Sequence, residues 1–117
     1  MGNEKMIIEQ TEAEVVRDVK HVINRLKLDD YIQRINSGMM KSQSGFPVRM
    51  AKKGTLDFEG FDKKGRFVGM ECKRTKGGRV SPEQAKRIEL INTSGGNAAV
   101  IRSGAEAEKF LLSLDNK

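Results

Sequence analysis

The chain has 117 residues, of which 37% are hydrophobic and only 5% aromatic, so its core must be built mainly from Val, Ile, Leu and Met, and it is long enough to bury that core as one domain over 1–117 without staples. The net charge is +6 and the pI about 9.6, which favours a polyanionic partner, nucleic acid before membrane, because no basic amphipathic stretch stands out. No apolar run approaches the roughly 20 residues of a membrane span, Met1 to Gln10 lacks a signal-peptide core, and one Cys with one His excludes both an internal disulfide and a His/Cys zinc site, so a reducing, cytoplasmic setting is expected.

Thr11 to Leu28 reads as a helix, since Val15, Val16, Val19, Val22, Ile23 and Leu26 recur at helical spacing. Thr11 is its N-cap, with Glu14 three residues on completing a capping box. Glu12 lies on the apolar seam, one turn before Val15 and Val16, whereas Glu14 lies off it. Tyr31 to Ile35 alternates weakly and suggests a short strand. Asn36 to Lys53 is long, polar and rich in Gly, Ser and Lys, and reads as a functional or mobile loop.

Thr55 to Phe61 and Arg66 to Arg74 read as two strands of a hairpin, joined by the turn Asp62-Lys63-Lys64-Gly65. A basic Gly-containing loop, Thr75 to Val80, follows. Ser81-Pro82-Glu83-Gln84 opens a helix: Ser caps, Pro takes the first helical position and Gln84 closes a second capping box. Gly95-Gly96 stops it. Ala98 to Arg102 is a short buried strand, and Ser103 caps a last helix over 104–115 carrying Phe110, Leu111 and Leu114. The order expected is α-β-β-β-α-β-α, an α/β fold with a central mixed sheet flanked by helices.

Chemistry concentrates at Glu71-Cys72-Lys73. A strand sends alternate residues to one face, so Glu71 and Lys73 stand roughly 7 Å apart on the same side while Cys72 points into the core. The pattern of an acid, any residue and Lys occurs four times in the chain. Asp18-x-Lys20 falls on a helix, Asp62-x-Lys64 in a turn and Asp115-x-Lys117 at the chain end. Only Glu71-x-Lys73 lies on a strand with an acid, Asp57, on the strand before it. Like charges so placed repel, and Asp and Glu are poor strand formers. A cation between them offsets that cost, and Glu12 on the helix seam is a third acid expected to point inward. Oxygen donors of this kind suit Mg²⁺, which acidifies a water for attack on a phosphodiester. His21 reads as a helix-surface residue.

These residues resemble the PD-(D/E)xK nucleases. Glu12, Gly54-Thr55-Leu56-Asp57, Glu71-Cys72-Lys73 and Ser81-Pro82-Glu83-Gln84 look more narrowly like the stand-alone VRR-NUC domains of phages and bacteria. Arg34-Ile35-Asn36-Ser37-Gly38 is similar to the stretch before that family's long loop, and the likeness covers about 11–103. Leu56 stands where the family usually has Pro. The resemblance implies Asp57 and Glu71 as metal-binding acids with Glu12 as the helix-one acid, a place for which Glu14 competes. It also implies Lys73 as the catalytic lysine, Gln84 beside the site, and Mg²⁺ or Mn²⁺ as cofactor. The activity implied is structure-specific DNA cleavage by a homodimer, similar to Holliday-junction resolvases, on branched or four-way DNA.

Arg34, Asn36, Ser37, Lys53, Arg74, Lys76 and Arg79, with Lys52, flank the proposed site in sequence and are the candidate DNA contacts. Met39, Met40 and Met50 fit either a dimer interface or loop packing. Two other readings share the pattern: a non-catalytic nucleic-acid-binding module on a nuclease fold, and a restriction or end-processing nuclease with the same chemistry.

Overall fold

The computed structural model describes residues 8–35, 39–41, 47–49 and 52–117, with 39–41 and 47–49 given as backbone course alone. Asn36, Ser37 and Met50, and the side chains of Met39 and Met40, lie outside what it describes. The elements in order are α1 (Glu12–Arg25), β1 (Ile32–Arg34), β2 (Met39–Lys41), β3 (Pro47–Arg49), β4 (Phe58–Phe61), β5 (Phe67–Cys72), α2 (Pro82–Thr93), β6 (Asn97–Ile101) and α3 (Gly104–Ser113), followed by a 3₁₀ turn, Leu114–Asn116. The architecture is α/β, with a four-stranded mixed sheet and three helices. Among the described residues no helix is long and apolar enough to cross a membrane.

Both expected capping boxes are present. Thr11 Oγ1 accepts from the Glu14 amide while Glu14 accepts from the Thr11 amide, and Ser81 and Gln84 repeat the exchange at α2. α1 ends at Arg25, three residues short of the expected Leu28. Lys27 adopts φ 59°, the Lys27 amide donates to the Asn24 carbonyl and the Leu28 amide to the Ile23 carbonyl. That is a Schellman closure, and it uses Lys where Gly is usual. The segment from 36 to 53, expected as loop, instead contains a two-stranded antiparallel sheet pairing β2 with β3. Pro47 opens β3, a strand position where its missing N–H is tolerated.

The main sheet runs β1-β4-β5-β6. β1 with β4 and β4 with β5 are antiparallel, and β5 with β6 is parallel across α2. Alternation divides the sheet residues between two faces. Phe58, Val68, Met70, Cys72 and Ile101 pack with Val15, Val19, Val22 and Ile23 of α1 and with Ala107 and Leu111 of α3. The opposite face packs Leu56, Ile91 and Ala98 beneath α2. Gly69 sits between them, where an added Cβ would stand 2.7 Å from Leu56 Cδ1 and 3.1 Å from Ile91 Cδ1. Arg87 of α2 is joined to Glu59 of β4 through Nε (3.0 Å) and Nη2 (2.7 Å), which fixes the roll of α2 over the sheet.

The β1–β4 pairing has little clearance. A Cβ on Gly60 would lie 2.0 Å from the Tyr31 carbonyl oxygen, a backbone atom that cannot move aside without opening the pair. Gly60→Ala is expected to destabilise the fold by about 2 kcal/mol or more, as overpacking does. In urea melts this loss should far exceed that of a Phe61→Leu control, since Phe61 is half exposed.

Candidate active site

Phe58 pairs with Met70 in the β4–β5 ladder, so Asp57, one residue before β4, comes level with Glu71. The Asp57 amide donates to Glu71 Oε1 at 3.2 Å, and the Cys72 amide donates to Asp57 Oδ2 at 2.8 Å. The two carboxylates are thus tied crosswise by each other's strands. Asp57 is also anchored from behind, its carbonyl accepting from the Ile35 amide at 2.8 Å.

Glu71 is almost wholly buried, at 2% exposure. Its second oxygen, Oε2, accepts from Gln84 Nε2 at 2.7 Å and pairs with Lys73 Nζ at 3.1 Å. Lys73 follows β5 directly and its amide continues the parallel ladder onto the Ile101 carbonyl at 3.0 Å, which keeps its side chain on the Glu71 face. Gln84 acts at two places: Oε1 accepts from the Ser81 amide at 3.0 Å to cap α2, and Nε2 orients Glu71.

The other expected residues are placed as follows. Glu12 does not point inward as the seam suggested. The first residue of α1, it is 54% exposed, with Oε1 4.0 Å from Lys73 Nζ. Glu14 is occupied by the Thr11 cap. The three acids therefore do not converge, and among the described residues no group of three or more His, Cys, Asp or Glu is placed to hold a metal. Asp57 and Glu71 are the two carboxylates that come level across the β4–β5 pairing, and two oxygen donors of this kind could hold Mg²⁺, which takes few protein ligands and keeps several waters.

Cys72 is buried in the core as expected, and burial pushes its thiol well above the ordinary range. Its amide has a further role in holding Asp57. His21 is exposed on α1.

Arg34, a candidate DNA contact, lies against Asp57, with Nη1 3.4 Å from Oδ1. Lys53 pairs with Glu83 at 3.1 Å and Lys76 with Glu9 at 2.9 Å. Arg74 and Arg79 are exposed on the loop that follows Lys73. Sequence reasoning missed Arg102, whose guanidinium donates to the carbonyls of Arg74 (2.9 Å), Gly77 and Gly78 (3.3 Å) and so shapes that loop. A lone arginine after a strand carries no signal for this. Gln10 and Thr75 tie the start of α1 to the same loop by a reciprocal pair of bonds, Gln10 N to Thr75 Oγ1 at 3.0 Å and Thr75 N to Gln10 O at 3.1 Å. A cleft of about 500 Å³ opens near the C-terminal end of α2, but Phe67, Leu90 and Ile91 line it with Arg66 and Arg87 and no carboxylate; the groups with chemistry gather at the other end.

No protein-family model, curated protein or solved structure matches this chain. What the coordinates define is an α/β protein with a buried, partnered carboxylate at one end of a mixed sheet.

Burial first, and then the charge of Asp57, push Glu71 up to about 7 from an ordinary 4.5. Between those two values the folded chain binds more protons than the unfolded one, so this group's contribution to stability is full below pH 4.5 and is lost as pH rises through about 7. Without divalent cations, wild type is expected to lose melting temperature between pH 5 and 8 relative to Glu71→Gln. Parallel melting curves for the two proteins across that range would show that Glu71 is not penalised by its surroundings.

Proposed function

We propose that this chain is a divalent-metal-dependent DNA endonuclease of the PD-(D/E)xK type, in the minimal VRR-NUC form, acting as a homodimer on branched DNA in the cytoplasm. The observation that carries this reading is the placement of Lys73 Nζ 3.1 Å from the buried Glu71 carboxylate, with Asp57 bonded to the other Glu71 oxygen. Binding alone needs no buried acid beside a lysine, whereas hydrolysis of a phosphodiester needs a held water and positive charge at the phosphate.

Asp57 and Glu71 would hold Mg²⁺ or Mn²⁺, which supplies an acidified water and charge neutralisation at the phosphate. Lys73, with Oε2 of Glu71 on one of its donors, has others to hold the attacking water and to meet charge developing on a phosphate oxygen. Gln84 keeps Glu71 in one orientation, and Glu12 partners Lys73 from the solvent side. Arg74, Lys76 and Arg79, on the loop that Arg102 pins, would contact phosphates and so position the duplex without reading its sequence. A two-fold dimer pairs two such sites, as a symmetric cut across a four-way junction requires.

A synthetic four-way junction, linear duplex and single strands incubated with Mg²⁺, Mn²⁺ or EDTA test this. Junction cutting is expected with either metal and none with EDTA, and Glu71→Ala or Lys73→Ala should lower the rate by at least about 100-fold. Cutting that survives EDTA and Glu71→Ala would sink the proposal, and junction binding without any cutting would favour a non-catalytic module. Light scattering is expected to give a dimer with and without DNA; a monomer in both would count against paired incision.

A further inference from the structure

Asp57 has only one carboxylate oxygen that the backbone does not take. Oδ2 is held by the Cys72 amide at 2.8 Å, and the other, Oδ1, carries Arg34 Nη1 at 3.4 Å. The same guanidinium donates to the Ile35 carbonyl and, at 3.3 Å, to the Asp57 carbonyl. Its carbon lies 5.8 Å from the centroid of the Phe58 ring. The Arg34 side chain is 37% exposed against 15% for Asp57, so the arginine sits on the solvent side of the acid.

Arg34 and a divalent cation would therefore seek the same oxygen. We propose that Arg34 is a resident counter-ion: it neutralises Asp57 while the site is empty, yields Oδ1 when a divalent cation binds, and turns the freed guanidinium to a backbone phosphate. This rests on the metal site proposed above. It is distinct from a fixed DNA contact, because Arg34 then binds phosphate only in the metal-loaded protein. A permanently fixed Arg34 would oppose metal binding throughout. Arg suits the exchange, since its planar fork grips carboxylate and phosphate alike and is less strongly hydrated than an ammonium.

Two measurements on the full chain test the exchange. Titration calorimetry with Mn²⁺ and no DNA compares wild type, Arg34→Gln, Lys63→Gln, which removes an exposed charge of the 62–65 turn, and Glu71→Ala. Loss of the competing pair should make Arg34→Gln bind Mn²⁺ about 5-fold more tightly than wild type, while Lys63→Gln matches wild type and Glu71→Ala does not bind. Junction affinity against salt concentration is then measured by fluorescence anisotropy with and without Ca²⁺. Arg34→Gln should lower the salt slope by about 1 in Ca²⁺ and leave it unchanged without the cation. Equal or weaker Mn²⁺ binding by Arg34→Gln, with Glu71→Ala inactive in binding, overturns the counter-ion role and leaves the metal site standing. A slope lowered equally with and without Ca²⁺ also overturns it, since Arg34 would then be an ordinary phosphate contact. Absence of Mn²⁺ binding in every variant overturns both proposals together.

Discussion

Glu71 is a carboxylate removed almost completely from water, and the end of the sheet is arranged around the consequences. An ionised carboxyl in such a place costs several kcal/mol unless its lone pairs are met. Here they are met by three different parts of the chain: the Asp57 amide, the Gln84 side-chain amide and the Lys73 ammonium. None of the three is optional in the geometric sense. The Asp57 amide arrives through the β4–β5 register, Gln84 through the first turn of α2, and Lys73 through the continued ladder onto β6. A slip of one residue in either strand pairing would turn Glu71 into the apolar core and Cys72 into the site. The register is held against that slip by Phe58, Val68 and Met70, all buried on the other face.

The position of α2 follows from the same constraint. Gln84 reaches Glu71 only if the helix lies close to the sheet, and Gly69 permits that approach where any side chain would meet Leu56 and Ile91. Glu59 and Arg87 then fix rotation about the helix axis. Gln84 is the third helical residue, so Glu71 also lies near the positive end of the α2 dipole, which favours its charged form. That field opposes the larger effects of burial and of Asp57, which together leave Glu71 raised. The result is an acid held in one orientation by contacts from three parts of the chain.

The features legible in the sequence were those written locally. Thr11 with Glu14, Ser81-Pro82 with Gln84, and the Asp62–Gly65 turn each place their own hydrogen bonds within four residues. The turn Asp62–Gly65 between two strand-like runs gave the hairpin, and with it the meeting of Asp57 and Glu71. The features that escaped depend on contacts far apart in the chain. Arg34 reaches across 23 residues to the carbonyl of Asp57, Arg87 across 28 to Glu59, and Arg102 across 28 to the carbonyl of Arg74. The strands β2 and β3 escaped because their sequence has no apolar alternation to announce them. Helical spacing put Glu12 on the seam, but spacing gives only a direction around the axis and not how far the first turn is covered, and Glu12 is 54% exposed.

Charge is distributed differently at this site than over the rest of the surface. The pairs Lys76–Glu9 and Lys53–Glu83 join largely exposed side chains, and such pairs hold little energy, because water competes for both partners and ordering two long chains costs entropy. On the proposed function they would exchange for phosphate at little cost, leaving the basic surface available to a polyanion. At the sheet end the partners are short of water. Asp57 and Glu71 are offset by Lys73 and Arg34, with Glu12 outside, so the inner four charges cancel when all are ionised. On the proposed function, a site that is neutral in itself and set in a chain of net charge +6 would draw a polyanion to its surroundings rather than to its centre. A metal ion bound there, as proposed, would need one of the site's own cations to step aside. Lys73 is buried and in contact with Glu71, whereas Arg34 lies toward solvent, so the freedom to rearrange belongs to Arg34.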